Sequence, residues 1–435
     1  MVARLASSLA LLAAALTLAP RAAHADDEWS APHRGIRHLH RTDVGVDLHV
    51  VLVDLTNPEL SVVATRPEDR FITTSEFARR YDAVVALNAN FYDRGSCGLA
   101  VGGGRLFEDS YEDGCTASLG FSVANEALAF DSSQIPRGPL PADWVSEVLT
   151  GKPWLMRNGR AENNWQRPQH LYRSNPRSAA GVNADRSTLV LLAADGRRPG
   201  VEGLNGFQIV EALREFDVTD AVNLDGGGST ALVLDGSVAN HPSDRNERSV
   251  VTHLGVRLMP GARWYAGEIV ARDTPSETRE GAETELHVDV RNTGRRAWRR
   301  GETAPSLELR DGATVLGATL ATTVEPGATG RFTLRWSARG VGAHALSARV
   351  IAPDGATLAT TSSRLAVAPA VRAVRPRESA RVPIARAGIG FGVGAAKQSP
   401  SPLAWMALAV FASLVASLRA RREPLRCEPD SSARS

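Results

Sequence analysis

The chain is organised around Asp220-Ala-Val-Asn-Leu-Asp-Gly-Gly-Gly-Ser-Thr-Ala-Leu-Val-Leu-Asp235, an apolar run broken at its centre by an acid, three glycines and a hydroxyl pair. This pattern predicts a strand, a tight loop and a second strand. In the first strand, Asn223 and Asp225 are two residues apart, so both side chains leave the same face. Val222 and Leu224 then point the other way, into a core. The stretch therefore predicts polar groups at the end of a buried strand.

The three glycines of this stretch favour a ligand site. Gly226, Gly227 and Gly228 let the backbone turn and bring its N–H groups, with the Ser229 hydroxyl beside them, close to a ligand, an arrangement that suits an anion. The alternative is a hairpin with a glycine-rich turn. Two glycines would suffice for a turn, and an Asn-x-Asp face costs stability unless its groups are paired. We therefore interpret the stretch as a site.

Length and charge limit the classes of protein to which this chain can belong. At 435 residues the chain is longer than one ordinary domain, so at least two domains are expected. Its 50 basic and 48 acidic residues nearly balance, and no basic stripe with interleaved aromatic residues occurs. Nucleic acid is therefore not an expected partner.

The first 25 residues resemble a signal peptide. Arg4 precedes an apolar run, and Ala23-His-Ala25 matches a small-residue cleavage pattern. Export would place the mature chain where disulfides form. Cys97 and Cys115 flank a glycine-rich loop, and we predict that they pair, with two unpaired thiols as the alternative.

Two helix–strand units are predicted. Thr73 with Glu76 three residues later forms a capping box, which predicts a helix to about Tyr81. The strand that follows ends in Asn88 and Asn90.

The second unit repeats the first. Asn205 with Gln208 can cap another helix, and the next strand ends in Asn223 and Asp225. Because both units end in an Asn-x-Asn or Asn-x-Asp pair, we expect the two strand ends to meet in one pocket.

Arg177 opens a third segment of interest. It follows a proline and enters a small-residue strand, which suits a fixed, inward guanidinium. A surface arginine on a loop is the alternative. The next strand, residues 187–194, ends in Asp195-Gly-Arg197.

Taken together, these segments resemble the phosphodiester glycosidase family over roughly residues 35–258. The motifs that carry the resemblance are Leu87-Asn-Ala-Asn-Phe-Tyr92, Pro176-Arg-Ser-Ala-Ala-Gly181, Ala194-Asp-Gly-Arg197 and Asn223-Leu-Asp-Gly-Gly-Gly-Ser229. The last is the most specific. One departure is visible: the family often has Asn-Gly-Gly-Phe-Phe where this chain has Asn88-Ala-Asn-Phe-Tyr92, which adds an amide and could alter the sugar preference.

The resemblance implies hydrolysis of a sugar-1-phosphodiester, similar to an N-acetylglucosamine-1-phosphodiester, at the anomeric carbon. Such a reaction needs a cradle for the phosphate and usually a pair of carboxyl groups. Arg177 or Arg197 could hold the phosphate in a bidentate way. Asp225 is the leading catalytic carboxylate, and Asp195 and Glu211 are the candidates for the second.

The amides would then hold sugar hydroxyls or orient Asp225; they are Asn88, Asn90 and Asn223. No His/Cys cluster with metal-ligand spacing is evident, and His170 and His253 are interpreted as ordinary histidines. No cofactor is therefore predicted, although a divalent ion held by carboxylates stays open.

Beyond residue 260 the composition changes. Alternating strands with Gly, Pro and Asn between them predict an Ig-like sandwich over residues 261–368, followed by a linker over 369–402. Residues 403–418 are apolar and precede Arg419, Arg421 and Arg422 in a basic tail that runs to 435. This segment predicts a membrane anchor, with a buried or interfacial helix as the alternative.

The predicted fold class is therefore α+β: a mixed β-sheet catalytic domain over residues 26–260 with flanking helices, then an Ig-like β-sandwich and a C-terminal apolar helix. The predicted function is that of an exported cell-envelope hydrolase. A surface protein that binds glycan in the same pocket without turnover is the alternative.

Overall fold

Antiparallel strands are the main element of the residues that the structure describes. The computed structural model describes residues 26–93, 95–111, 114–134, 145–162, 169–301 and 303–371. Within these ranges there are 26 strands and two α-helices, so the predicted α+β class is wrong and the fold is nearly all β. Short turns join antiparallel strands directly, without the crossover helices that parallel strands need. The two capping signals are real, but each marks one short helix.

The first part of the chain contains 18 strands and both helices. In chain order they are β1 (Asp27–His33), β2 (Ile36–Asp43), β3 (Val46–Asp54), β4 (Leu60–Ala64), α1 (Thr74–Tyr81), β5 (Ala83–Asn88), β6 (Val101–Gly102), β7 (Arg105–Leu106), β8 (Ala117–Ser122), β9 (Ala127–Asp131), β10 (Val145–Gly151), β11 (Trp154–Arg157), β12 (Arg160–Ala161), β13 (Arg177–Asn183), β14 (Thr188–Ala194), α2 (Gly206–Arg214), β15 (Val218–Asn223), β16 (Leu232–Leu234), β17 (Ser237–Val238) and β18 (His253–Leu258).

Three sheets enclose the main core. The largest has the order β1-β2-β3-β14-β13-β15-β11-β12, and two five-stranded sheets have the orders β17-β16-β5-β18-β4 and β7-β6-β10-β8-β9. Each contributes fully buried apolar side chains to one cluster, among them Val222, Leu87 and Phe121. Strand β15 lies inside the largest sheet, between β13 and β11, so its end is held on both sides.

Each helix covers the outer face of one sheet. Helix α2 packs Ile209 and Leu213 against the large sheet, and the predicted capping box of Asn205 and Gln208 is present in both directions. Helix α1 packs Phe77 against the sheet that contains β5, and its cap residue Thr73 accepts a hydrogen bond from the Glu76 amide. The predicted helix positions are thus confirmed.

The second part of the chain is a two-sheet sandwich. Its strands are β19 (Gly267–Asp273), β20 (Glu277–Arg279), β21 (Glu283–Asn292), β22 (Ser306–Asp311), β23 (Thr314–Thr319), β24 (Thr329–Ser337), β25 (Gly342–Ile351) and β26 (Thr357–Ala368). The sheets have the orders β19-β21-β24 and β20-β26-β25-β22-β23. Buried and exposed residues alternate along β24, which places Phe332, Leu334 and Trp336 in the shared core.

A buried arginine joins the sandwich to the first part. The Arg295 guanidinium donates to the carbonyls of Pro58, Leu60 and Val123 and to Asn125 Oδ1. Burial, with repulsion from Arg257 as a second cause, lowers the pKa of Arg295 to about 10.

The predicted leader over residues 1–25, the linker over 369–402 except for its first three residues, the apolar segment over 403–418 and the basic tail all lie outside the described residues. Inside the described ranges, no helix combines the length and the apolar character that crossing a bilayer requires. The membrane anchor stays a prediction.

Candidate active site

Asp225 lies just beyond the end of β15, where the backbone leaves the sheet. Its amide donates to Ala89 O at 2.9 Å, and its own carbonyl accepts from Asn88 Nδ2 at 2.6 Å. The expected meeting of the two strand ends is therefore confirmed. Both bonds fix the backbone of Asp225, and its carboxylate accepts the adjacent Gly226 amide at 3.0 Å.

The Asp225 carboxyl is half-buried, and burial raises its pKa to about 6. The Gly226 amide and the positive charge of Arg248 oppose this shift. The Ser229 hydroxyl is near enough to oppose it as well, although it makes no hydrogen bond of ordinary geometry. A carboxyl that ionises this close to neutrality can accept or donate a proton under physiological conditions.

Asn88 is fully buried, and both ends of its amide are used by the protein. Besides donating to Asp225, it accepts from Ser178 Oγ at 2.7 Å and from the Ala231 amide at 3.2 Å. Of the two roles predicted for this residue, the contacts match the one that orients Asp225.

Asn90 is also fully buried and serves a different segment. Its Nδ2 donates to Ser96 Oγ at 3.0 Å and to Cys97 O at 3.2 Å, and its Oδ1 accepts from the Thr150 amide at 3.0 Å. The amide is thereby committed to the loop that carries Cys97.

Asn223, the last residue of β15, retains an unused acceptor. Its Nδ2 donates to Lys152 O at 2.7 Å, but its Oδ1 is buried and has no hydrogen-bond partner among the described residues. The same holds for Ser229 Oγ and Thr230 Oγ1 a few residues further on. Buried polar atoms without partners are rare, and each calls for an explanation such as a functional role.

The glycine loop differs from the prediction in one respect. The Gly226 and Gly227 amides are not open donors, because they bond to Asp225 Oδ1 and Pro176 O, respectively. What glycine provides here is space. A Cβ on Gly228 would lie 2.3 Å from Asp244 Oδ2 and 2.5 Å from an Arg248 guanidinium nitrogen. Gly227 has a φ of 61°, which favours glycine as well.

Arg177 is buried at the start of β13, as an inward guanidinium was predicted to be. It donates to Leu204 O at 3.1 Å and to Arg173 O at 2.8 Å. Burial and, second, repulsion from Arg197 lower its pKa to about 10. The alternative of a surface loop arginine is wrong.

Arg197 is exposed and lies against the glycine loop. Its guanidinium carbon would be 3.3 Å from a Cβ placed on Gly227, and its Nε donates to Asn175 Oδ1 at 3.2 Å. Arg177, which is buried, and Arg197, which is exposed, therefore both lie close to the glycine loop.

Sequence reasoning missed the pair Asp244 and Arg248. Arg248 Nε donates to Asp244 Oδ2 at 2.7 Å, and both side chains lie against Gly228. Their spacing of four residues in a loop carries no recognisable signal. Only the burial of the glycine loop brings them to the site.

The two candidates for the second carboxylate lie elsewhere. Glu211 is on the solvent side of α2 and pairs with Arg214. Asp195 is fully buried and is held by Asn240 Nδ2 and by the His241 amide, each at 2.9 Å. Asp195 reaches the end of the glycine loop through Asn240, which also donates to Thr230 O, and Asp244 borders the loop at Gly228.

The predicted disulfide between Cys97 and Cys115 is present, and both residues are fully buried.

His253 is a core histidine, as expected: it stacks on Phe77, and burial lowers its pKa to about 3. His170 belongs to a 3-10 helix, Gln169–Tyr172. Although no His/Cys cluster with metal-ligand spacing is evident in the sequence, His40, Asp47 and His49 come together on β2 and β3.

Comparisons with known proteins agree with the motifs. Residues 81–257 match the sequence model of the phosphodiester glycosidase family. The N-acetylglucosamine-1-phosphodiester alpha-N-acetylglucosaminidase of Mus musculus is 30% identical over 177 residues, which cover 37% of this chain and 33% of that protein. The Homo sapiens protein of the same name is 31% identical over 195 residues, covering 40% and 36%.

A solved structure is also similar to part of the chain. The zebrafish catalytic domain of that name, auto-inhibited by its pro-peptide, covers 54% of this chain and is itself covered to 82%, with 24% identity and a TM-score of 0.42. The chain spans about a third of the length of the curated relatives that it matches. The resemblance predicted from the sequence is confirmed, and these relatives are glycosidases by name.

Proposed function

We propose, from the premise that residues 81–257 match the phosphodiester glycosidase family, that this chain hydrolyses a sugar-1-phosphodiester at the anomeric carbon. The observation that carries the proposal is the environment of Asp225, which fixes its backbone and raises the pKa of its carboxyl. Its backbone is fixed by two strand ends, while its carboxyl is half-buried, has a pKa of about 6 and accepts the adjacent Gly226 amide.

The charges around the glycine loop support a phosphate leaving group. Arg197 is exposed beside Gly227, and Arg248 lies beside Gly228. A planar guanidinium can bind two phosphate oxygens at once. Arg177 is buried behind them and bonds to carbonyls, so it contributes positive potential and positions the start of β13. Arg197 is the better phosphate ligand of the two arginines that the sequence proposed.

The chemistry then divides between two sides of the scissile bond. The bond from the anomeric carbon to the phosphate oxygen breaks, and its electron pair stays on the phosphate, which departs as an anion held by guanidinium groups. Because this leaving group is already acidic, a strong general acid is unnecessary. Asp225 acts on the sugar side, where its carboxylate accepts a proton from the attacking water as the new C–O bond forms.

The neighbouring oxygens would bind the sugar or the water. Asn223 Oδ1, Ser229 Oγ and Thr230 Oγ1 are close in sequence to Asp225 and have no hydrogen-bond partner among the described residues. Asp244 is the carboxylate best placed to serve as the second, since it borders the same loop as Asp225.

We place this reaction outside the cytoplasm, on a glycan of the cell envelope. The signal-like pattern of the first 25 residues and the disulfide between Cys97 and Cys115 support export, because disulfides persist in oxidising compartments.

The direct test is turnover of an N-acetylglucosamine-1-phosphodiester by the purified chain, with products followed by mass spectrometry. The expected products are the free sugar and a phosphomonoester. Two controls lack one half of the substrate: a phosphodiester without sugar and an ordinary N-acetylglucosaminide. If no sugar phosphodiester is hydrolysed but the substrate binds saturably, the chain is a glycan-binding protein and the proposal fails.

A further inference from the structure

Two paired strands bring three potential metal ligands to one place. Strands β2 and β3 form a hairpin in which His40 lies opposite His49 and Thr42 lies opposite Asp47. Asp47 and His49 are two residues apart, so they share a face of β3 with Val51 and Val53, which enter the main core. The ligand side chains thus continue a row of buried apolar side chains toward the end of the sheet.

The three ligand atoms lie close together. The rings of His40 and His49 are stacked with their centroids 4.3 Å apart, so one ring must turn before both nitrogens face the same ion. Asp47 Oδ1 is 2.9 Å from His40 Nε2 and 3.7 Å from His49 Nε2. All three atoms lie within 4.8 Å of one another. Two imidazole nitrogens and one carboxylate oxygen form a common protein ligand set for zinc.

His49 supplies an independent indication of a ligand. Its side chain is 4% exposed, and its Nε2 has no hydrogen-bond partner among the described residues. The nitrogen faces the Asp47 carboxylate at a distance too long for a hydrogen bond. A buried ring nitrogen aimed at a buried carboxylate without a bond is costly unless something binds between them.

In two of these ligands, the polar atom that does not face the site has a partner of its own. His49 Nδ1 is 3.0 Å from His38 Nε2, so the ring is oriented with Nε2 toward Asp47. The second oxygen of Asp47, Oδ2, pairs with Arg198. Outer partners that fix the free end of each ligand are typical of metal sites.

We propose that His40, Asp47 and His49 bind a divalent metal ion of the zinc class, through His40 Nε2, Asp47 Oδ1 and His49 Nε2. Three protein ligands leave at least one position for water or another donor. A second group, Asp47 with Asp195 and His241, shares one residue with this site. The Asp195 carboxylate already accepts from Asn240 and from the His241 amide, so the pair of histidines on the hairpin is the better site.

The site would also tie the hairpin to the loop that carries Arg197. The Asp195 amide donates to Asp47 O at 2.9 Å, and Arg198 contacts Asp47 and Asp195. A bound ion would stabilise Asp195 and Arg198, which lie on either side of Gly196 and Arg197 in the chain. This inference concerns metal binding alone and does not depend on the proposed hydrolysis.

Zinc binding by the full chain tests the proposal. After chelation and dialysis, wild type should bind one equivalent of Zn²⁺ in titration calorimetry. His40→Gln and His49→Gln should each raise the dissociation constant by more than about 100-fold, because loss of even an outer partner typically costs about 10–100-fold. The matched control is His33→Gln: His33 pairs with one carboxylate, Asp235, at 2.6 Å and should bind zinc like wild type.

Two outcomes would overturn the proposal. One is that wild type binds no more Zn²⁺ than the His40→Gln and His49→Gln variants. The other is that His241→Gln abolishes binding while both hairpin variants retain it, which would move the ion to the Asp195 group. His40 is half-buried, so its variant should fold even if the His49 variant does not. Circular dichroism checks the fold, and Co²⁺ spectra of wild type should show nitrogen ligation that His40→Gln weakens.

Discussion

The ends of strands β5 and β15 have similar sequences but different environments. At β5, the amides of Asn88 and Asn90 are fully buried and donate and accept within the protein at both ends. At β15, Asn223 keeps an unused acceptor, and Asp225 keeps a half-buried carboxylate with a raised pKa. The first strand end is therefore a support and the second is the candidate site. Residue type alone does not separate these roles; the partners supplied by the fold do.

The largest expected effect is on turnover by Asp225→Asn. The amide has nearly the same shape and can still accept the Gly226 amide, but it cannot take a proton from water. We expect a loss of about 10²–10⁴-fold in kcat, as is typical when a general acid or base is removed.

The effect of Asp225→Asn on stability should have the opposite sign to its effect on turnover. Because the pKa of Asp225 is raised in the folded state, ionisation of the carboxyl lowers the stability of the fold as pH rises from about 4 to about 6. Asp225→Asn removes that effect, so at pH 7 its melting temperature should equal or exceed that of wild type. A variant that melts earlier yet turns over normally would show that Asp225 only secures the loop.

Asn90→Leu should produce the converse result. The change leaves the buried Thr150 amide without its acceptor and removes the bonds from Asn90 Nδ2 to Ser96 Oγ and Cys97 O, at a cost of about 1–3 kcal/mol for each group left unsatisfied. We expect the free energy of unfolding in urea to fall by roughly 2–4 kcal/mol, while turnover per folded molecule stays near wild type.

Asn88→Leu is a further test of the difference between the two strand ends. Asn88 bonds to the carbonyl of Asp225, so this variant should lose both stability and turnover. If Asn90→Leu lost turnover as fully as Asn88→Leu does, the division between support and site would be wrong.

Arg197→Lys should have a smaller effect, confined to binding. Lysine keeps the charge but loses the planar fork, and one charged hydrogen bond is worth about 1.5–3 kcal/mol. We expect KM to rise at least about tenfold with little change in melting temperature. Arg214→Lys, on the exposed side of α2 beside Glu211, is the matched control and should leave KM unchanged.

The smallest effect is the pH profile. If Asp225 works as the carboxylate, kcat/KM should fall to about half its plateau near pH 6, the pKa of this group, and decline further below it. Rates measured between pH 4.5 and 8 on one substrate check this. A rate that rises as pH falls through 6 would instead assign Asp225 the role of acid.

The predicted α+β class is wrong, the predicted meeting of the strand ends at Asn88 and Asp225 is confirmed, and the roles of the site residues stay predictions. Asn223, Asp225 and the glycines were identified because an acid and three glycines inside an apolar run have few structural explanations. The two helices are placed correctly by their caps, but the α+β class gives them too much weight. Many strands pair with partners far along the chain, as β3 does with β14 and β5 with β18, and such pairings have no local signal in the sequence. Asp244 and the histidine cluster were missed. Asp244 approaches a glycine loop that is distant from it in sequence, and the histidines meet across a hairpin whose register must be known first. The spacing of residues in the sequence gives neither the loop contact nor the register.

Arg295 has a mechanical consequence. Its guanidinium is inserted among backbone carbonyls that belong to the first part of the chain, and it is buried there without a carboxylate partner in the contacts described above. A load applied to the sandwich would pass through these bonds directly to the segment before β4, with no slack linker to absorb it. In a single-molecule stretching experiment, the sandwich and the first part should therefore resist separation as one stiff unit, and Arg295→Ala should introduce a hinge between them.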